Sequence, residues 1–344
     1  MIPRIRPVRL DDLDPLFALA QQTGFGLTTL PPEHKLLQRR IKESIQAFGQ
    51  LVRKPTGQTY LFVLEVDGKV AGTTGIASKT GGFEPFYTYQ LDSEHFESKT
   101  LGVAHDVQVL KPVAEHSGPG EVGSLFLAPS SQGLGLGGLL SRCRFLFMAE
   151  HPRFFEKTIV AELRGVIDEH GCSPFWDAIG AHFYGVDFQR ADFQVLRGKE
   201  FIAELMPRHP IYVPTLPKAA QEVIGQVHPN TLPALKMLER EGFKPNGQID
   251  IFEAGPTVCC EREQILTVRN SRVAELSKIA NPAESAPKAI LCNTEMEFRA
   301  CYGTIEELAP DQIRVSPEVA EALETEVGDQ IRFAIPPPKP PHAS

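Results

Sequence analysis

No stretch of the chain approaches the roughly 20 apolar residues that a membrane-spanning helix needs. The opening Met1-Ile-Pro-Arg-Ile-Arg-Pro-Val-Arg9 lacks the apolar centre of a secretory signal, so a cytoplasmic protein with no membrane partner is expected. Basic residues are in deficit, 35 Lys and Arg against 43 Asp and Glu, for a formal charge of -8. An acidic chain with no basic stripe does not suit a phosphate backbone, which argues against nucleic acid as a partner. Cys143, Cys172, Cys259, Cys260, Cys292 and Cys301 contain no C-x-x-C pair and have no companion histidines at zinc spacing. No metal site is therefore expected, and reduced, structural thiols are the default.

What is present supports a sizeable core: 344 residues, 42% hydrophobic and 23% charged, suit two domains or one large domain with a lobe. Ile2 to Val8 reads as a strand. A helix capped by Asp11 or Asp12 follows, then a second after Pro31-Pro32 with Leu37, Ile41, Ile45 and Phe48 on one face. Tyr60 to Val66 and Val70 to Ala77 flank Asp67-Gly68, a hairpin signal. Gly81 to Pro119 is weakly periodic, so long loops with one or two short strands are expected. Thr158 to Leu163 reads as a buried strand, Ser173 as the cap of a short helix, and Phe201 to Met206 as strand-like. A helix runs from Asn230 or Thr231 to Gly242, and Ile249 to Phe252 is a further strand. Beyond Val258, scattered β-prone runs predict a small β-rich appendage with a loose tail from Pro336.

The densest information lies in residues 122–150. Leu125, Phe126 and Leu127 stop at Pro129, and a glycine-rich turn from Gly133 opens a helix-periodic segment. Glycines let backbone approach a ligand closely, and the free N–H groups of a helix's first turn favour a pyrophosphate. No Lys-Ser/Thr follows the glycines, which removes a Walker site. Two cofactor patterns fit. Gly133-x-Gly135-x-x-Gly138 satisfies the dinucleotide fingerprint, with Glu162 near the place of a ribose-binding acid. Gln132-x-x-Gly135-x-Gly137 resembles the acyl-CoA loop, Q/R-x-x-G-x-G/A, of the GNAT superfamily of N-acyltransferases. The order strand, two helices, hairpin and then glycine loop favours CoA, because a dinucleotide domain normally leads with its loop. Asn230-x-x-x-Ala234-x-x-x-Leu238-x-x-x-Gly242-Phe243 also resembles that superfamily's second motif. A strand, long helix and strand across this region imply a parallel crossover.

A closer resemblance runs through Gly26-Leu-Thr-Thr-Leu-Pro31, Leu125-Phe-Leu127, Val160-Ala-Glu-Leu-Arg-Gly-Val-Ile-Asp-Glu-His-Gly171, Ser173-Pro-Phe-Trp176, Phe201-Ile-Ala-Glu-Leu-Met-Pro207, Val223-Ile-Gly-Gln-Val-His-Pro229 and Ile249-Asp-Ile-Phe252. In this order they resemble the arginine N-succinyltransferase family. The resemblance implies an α+β, GNAT-like fold with a mixed central sheet, extended by a second α/β segment and a small β-rich C-terminal subdomain. Residues 1–210 would form the acyl-CoA-binding domain, 211–258 complete the catalytic region, and 259–344 form the subdomain and tail. It also implies transfer of succinyl from succinyl-CoA, a co-substrate and not a resident cofactor, to the α-amino group of L-arginine in arginine catabolism. A homo-oligomer or a paired-subunit hetero-oligomer would carry this out. By position, the succinyl-CoA contact falls on Leu125 and the proton donor on His228. Glu84-Pro-Phe-Tyr-Thr-Tyr89 replaces the more usual Asp-Pro-Trp-Tyr-Asn-Tyr, and Phe96 to Glu121 matches poorly. Another amine such as ornithine, another acyl-CoA, a non-catalytic partner subunit and, more remotely, an NAD-binding oxidoreductase remain as rivals.

Amide formation requires a neutral amine, a polarised thioester carbonyl and a proton for the leaving thiolate. Backbone around Leu125 to Leu127 is expected to donate an N–H to the thioester oxygen, while the Phe126 and Leu127 side chains pack in the core. Gln132, Gly133, Gly135 and Gly137 are assigned to the pyrophosphate, and His228, in a loop before a helix, to proton transfer. Arginine's guanidinium wants carboxylates, whereas its carboxylate and that of succinyl want arginine or backbone donors. Glu162, Arg164, Asp168 and Glu169 cluster at the end of a strand, where parallel sheets bind ligands. Tyr87 and Tyr89 are further pocket candidates. Otherwise these charges are a solvated loop or structural ion pairs.

Overall fold

The computed structural model describes residues 2–23, 29–82, 84–168 and 170–336. Glu169 and the Gly26 to Thr28 part of the first family-like segment fall outside them. β1 (Arg4–Pro7) leads into α1 (Leu13–Ala20) and α2 (His34–Phe48), then β2 (Thr59–Val66) and β3 (Lys69–Ala77) form the expected hairpin. Its turn uses Asp67 at φ 49° and Gly68 at φ 74°, the left-handed pair that a two-residue type I′ connection demands. Asp12 reaches back to accept the Arg9 N–H at 2.7 Å and to pair with buried Arg6. On α2, Leu37, Ile41 and Phe48 are buried, but Ile45 is 38% exposed at the margin of the apolar stripe.

Gly81 to Pro119 departs from expectation. It holds two 13-residue strands, β4 (Phe86–Ser98) and β5 (Val103–Glu115), paired from Phe86 opposite Glu115 to Ser98 opposite Val103. Their base is buried from Phe86 to Tyr89, whereas the outer half is exposed on both faces, so no inside-outside alternation marks it.

β6 (Gly120–Leu127), α3 (Leu136–Glu150) and β7 (Thr158–Glu162) make the crossover, with Gly120 opposite Ile159 and Glu121 opposite Val160 in a parallel ladder. Short helices follow: α4 (Pro174–Ala178), capped by Ser173 Oγ accepting the Trp176 N–H, then α5 (Gly180–Tyr184), α6 (Phe188–Val195) and α7 (Glu200–Leu205). α7 stands where Phe201 to Met206 read as a strand. That apolar run was too short to carry a period, and as a helix it buries Ile202.

Next come β8 (Ile211–Tyr212), α8 (Lys218–Val223), α9 (Leu232–Arg240), β9 (Lys244–Ile249) and β10 (Pro256–Glu261). Gly242 beyond α9 takes φ 101°, as a C-terminal glycine should. β9 ends at Ile249, where a strand was expected to begin, because the Asp250 carboxylate accepts the Phe252 and Glu253 N–H groups at 2.7 Å and turns the chain.

The remainder is α10 (Leu266–Asn270), β11 (Arg272–Ile279), β12 (Lys288–Asn293), β13 (Ala300–Ala309), β14 (Gln312–Val315), α11 (Pro317–Leu323) and β15 (Gln330–Ala334). Its five strands close on themselves, since β12 pairs with β13 and β15, β11 with β15 and β14, and β14 with β13. Leu276, Leu291, Ile305, Leu323 and Phe333 fill this small barrel. It joins the main sheet, ordered β1-β2-β3-β6-β7-β10-β9-β4-β5-β8, where β13 pairs with β1. α3 is buried on nearly every side within the main core, and a second core containing Phe175 and Trp176 lies under α4 to α8. The α+β class, with a mixed sheet and a β-rich C-terminal part, is as expected. Among the described residues no helix is long and apolar enough to cross a membrane, and no cluster of metal-ligating side chains occurs.

Candidate active site

Two neighbouring features meet at β6. The first is a gap in the sheet. β6 runs to Leu127, but its ladder with β7 ends at Glu121 opposite Val160. Beyond that pair the β7-facing edge of β6 has no strand partner among the described residues. On the other edge, Thr73 pairs with Phe126 and Gly75 with Gly123, so Ser124 and Leu125 together face Thr74. This is a bulge, and Ser124 takes φ 53° within it. A bulge re-aims backbone groups locally, here at the open edge. The Leu125 and Leu127 side chains pack on the main core and Phe126 on the α1–α2 side, so only their main chain is free to serve a ligand.

The glycine turn lies at the C-terminal end of the same strand. Gly133 (φ 80°) and Gly135 (φ 77°) have open space where a Cβ would project, so their backbone conformation is what calls for glycine. Gly135 caps the N-terminus of α3, and exposed Gln132 points its amide toward Leu127 O at 3.5 Å. A Cβ on Gly137 would meet Met237 at 4.0 Å, an ordinary contact, whereas one on Gly138 would lie 2.9 Å from Tyr302 Oη. The third glycine of the dinucleotide pattern thus accommodates the C-terminal barrel.

His228 stands before the short turn Pro229–Thr231 that enters α9, and its N–H donates to Arg164 O at 2.8 Å. Its Nδ1 accepts the Asn230 N–H at 3.2 Å. The neutral ring therefore carries its proton on Nε2. Partial burial and the nearby Arg164 charge hold the imidazole below its ordinary pKa.

The second feature is a cavity of about 630 Å³, continuous in its lining with an acidic chamber of about 170 Å³. Glu121, Gly123, Ser124, Glu162 and Lys199 line both parts, and Arg164, Tyr87, Asp250 and Glu253 line the chamber. Glu121 is opposite Val160, two residues before Glu162 on one face of the sheet. Glu253 Oε1 accepts the Gly165 N–H at 3.0 Å, while its Oε2 and Arg164 Nε are buried without partners. Desolvation, then the charges of Glu121 and Asp250, push Glu162 well above the ordinary carboxylate range, with Lys199 opposing. Glu253 is raised by burial and then Asp250, and Glu121 and Asp250 are raised chiefly by burial. Carboxylates clustered in this way are satisfied by an incoming cation able to bond several oxygens at once.

Not every candidate joins this cavity. Asp168 is exposed, and its carboxylate closes its own loop by accepting the His170 and Cys172 N–H groups at 2.9 and 2.8 Å. Tyr89 is 2% exposed in the second core, edge-on to Phe175. It shares a face of β4 with Tyr87, one step farther along the strand, and only Tyr87 lines the chamber. Glu169 lies outside the described residues.

Comparison with known proteins decides the family. A model described as "Arginine N-succinyltransferase beta subunit" matches residues 3–267, and one described as its C-terminal domain matches 269–334. The arginine N-succinyltransferase of Escherichia coli strain 55989 is 41% identical over 335 residues, 96% of each chain. The chain belongs to the arginine N-succinyltransferase family. The protein so named in Escherichia fergusonii is 40% identical over 334 residues, again 96% of each chain. The solved arginine/ornithine succinyltransferase subunit AI from Pseudomonas aeruginosa superposes with a TM-score of 0.87 at 31% identity, covering 98% of this chain and 99% of that one. The resemblance read from the sequence is borne out over nearly the whole length.

In this arginine N-succinyltransferase family member the cavity holds groups that sequence reasoning passed over. Glu121 lies in the stretch of poor family likeness, although a carboxylate between Gly120 and Val122 in a strand was a signal in its own right. Asp250 was hidden in a segment read as strand, Glu253 stood just past its end, and Lys199 and Arg40 sit far away in sequence with no motif around them.

Proposed function

We propose that the protein transfers the succinyl group of succinyl-CoA to the α-amino group of L-arginine. The observation that carries this reading is that one strand joins the two candidate sites: β6 borders the cavity at Glu121 and Ser124 and runs on into the glycine turn. The α3 N-terminus, with Gln132, Gly133, Gly135 and Gly137, would hold the CoA pyrophosphate. The thioester would then lie along the open edge near Leu125, where a main-chain N–H can bond its oxygen as negative charge develops. Glu162, Glu121 and the Asp250–Glu253 turn would receive the guanidinium, with Arg164 beside them.

Attack of the neutral α-amine forms the C–N bond, and collapse breaks the C–S bond. His228 Nε2–H, the donor side of the neutral ring, hydrogen-bonds the departing sulfur, and the proton shed by the new amide nitrogen ends on the thiolate. Cytoplasmic action follows from the donor, since CoA thioesters are made and used inside cells. Ornithine is the second reading for the acceptor, favoured by the name of the Pseudomonas relative. The test is thiol release by the purified chain with succinyl-CoA or acetyl-CoA crossed with arginine or ornithine. Release requiring succinyl-CoA and arginine is expected. Release with ornithine alone would move the acceptor, and no release with any pair would defeat the reading.

A further inference from the structure

The acceptor cavity is electrically two-ended. Asp250 and Glu253 line only the inner chamber, whereas Arg39, Arg40 and Lys79 line only the outer part, against α2. Arg39 pairs with Glu43 at 3.8 Å on the same helix, and Lys79 with Glu156 at 3.3 Å. Arg40 has neither kind of relief. Among the described residues its guanidinium makes no hydrogen bond or ion pair, and its Nε is buried without a partner. Burial holds its pKa below the usual arginine value despite the pull of Glu121 and Glu43. A planar cation left unpaired in a cavity is unfavourable in the empty protein unless a ligand supplies the missing acceptors. The group that fits its fork is a carboxylate, bound through two parallel N–H···O bonds.

We infer that Arg40 is the carboxylate receptor of the transfer site. This rests on the succinyl-transfer reading above. Two substrate carboxylates are eligible: the α-carboxylate of the amino-acid acceptor and the distal carboxylate of the succinyl group. Either would place a negative end at α2. With arginine, the guanidinium would then lie toward the inner carboxylates, so the two ends of the cavity fix the direction in which the acceptor lies.

The experiment is steady-state kinetics of wild type, Arg40→Met and Arg40→Lys. Succinyl-CoA and butyryl-CoA are crossed with arginine and agmatine, which is arginine without its carboxylate. Where turnover is undetectable, inhibition constants of butyryl-CoA and agmatine replace it, and thermal midpoints establish that each variant is folded. With succinyl-CoA and arginine, Arg40→Met is expected to lower kcat/KM by about 10- to 150-fold, the range of a charge-assisted hydrogen bond. Arg40→Lys, which keeps the charge but not the fork, should fall between. If the ratio of wild type to variant returns to near one with agmatine, the receptor serves the acceptor. If it does so with butyryl-CoA, it serves the succinyl group. Equal ratios for all four pairs, or an unchanged Arg40→Met enzyme, would overturn the inference while leaving succinyl transfer intact. A wild type that transfers no succinyl to any amine would instead remove the reading beneath it.

Discussion

Glu162→Gln separates charge from shape in the proposed acceptor cavity. In the empty protein desolvation within the cavity disfavours the charged form of Glu162, and Glu121, Asp250 and Glu253 add repulsion that Lys199 opposes, although the residue as a whole is solvent-exposed. The amide keeps the size and removes one negative charge. Relief of repulsion should therefore stabilise the unliganded variant at pH 8, by up to ~1 kcal/mol as for other replacements of strained functional groups once solvent screening of the exposed side chain is allowed for, or up to about 2 °C in melting temperature. Arginine binding should move the other way. Losing one charge-assisted bond to the guanidinium costs about 1.5–3 kcal/mol, about 10- to 150-fold in arginine affinity. The sign of the pH dependence follows from the raised pKa. Over the interval between the ordinary glutamate value, about 4.3, and the raised folded value, the folded state holds the proton that the unfolded state has released. Wild-type stability accordingly falls as pH rises through that interval. Variant and wild type should thus melt together near pH 4 and diverge by pH 8. Scanning calorimetry at both pH values, with and without arginine, and titration with succinyl-CoA test all three parts. A variant less stable than wild type at pH 8, or one that loses succinyl-CoA and arginine affinity equally, would refute the reasoning.

Three further substitutions probe the rest of the site. Gly135→Val forces a β-branched residue to φ 77°, a strain of about 1–2 kcal/mol placed on the pyrophosphate turn, so KM for succinyl-CoA should rise about 10-fold with that for arginine little changed; equal effects would count against the assignment. His228→Ala should lower kcat by about 10²- to 10⁴-fold while both substrates still bind, and near-normal turnover would take His228 out of the mechanism. Gly165→Ala puts a Cβ 2.0 Å from Glu253 O, a backbone collision at the wall of the acidic chamber. A loss of about 1–3 kcal/mol should appear as a lower denaturant midpoint, and an unchanged midpoint would mean that the two segments do not cross there.

What could be read from the sequence was whatever has a local cause. Asp67-Gly68, Ser173-Pro174 and Gly242 each set their own backbone conformation, so their hairpin, helix start and helix end stand where the residues put them. The glycine turn was legible for the same reason, and the parallel crossover followed from element order. The long β4–β5 hairpin was not, because a strand exposed on both faces loses its alternation. The acidic chamber escaped for a different reason. Glu121, Glu162, Asp250, Glu253 and Lys199 come together through the register of β6 and β7 and the turn after β9, none of which a spacing rule encodes. Asp168 shows the converse error: proximity in sequence to Glu162 suggested a shared pocket, yet its carboxylate is occupied by its own loop.

The C-terminal barrel carries none of the proposed reacting groups, yet it bears on the chemistry through α3. Near the start of that helix, Tyr302 Oη lies within 3.5 Å of the Arg142 guanidinium, and it occupies the space a side chain on Gly138 would need. Arg142 also bonds Glu241 at 3.1 Å, and Glu241, 2% exposed, accepts the Thr267 N–H and hydroxyl at 2.8 and 3.0 Å. At the far end, Arg332 of β15 bonds Glu150 at 2.8 Å, a cation where the helix dipole is negative. Both ends of α3 are therefore tied to the barrel. The N–H groups proposed to meet the pyrophosphate sit on the first turn of a helix whose position is set by these buried contacts, while the glycine turn supplies the bend. Removing the barrel would leave the turn's sequence intact but free the helix it opens. For this reason a segment without proposed catalytic side chains supports the proposed donor site.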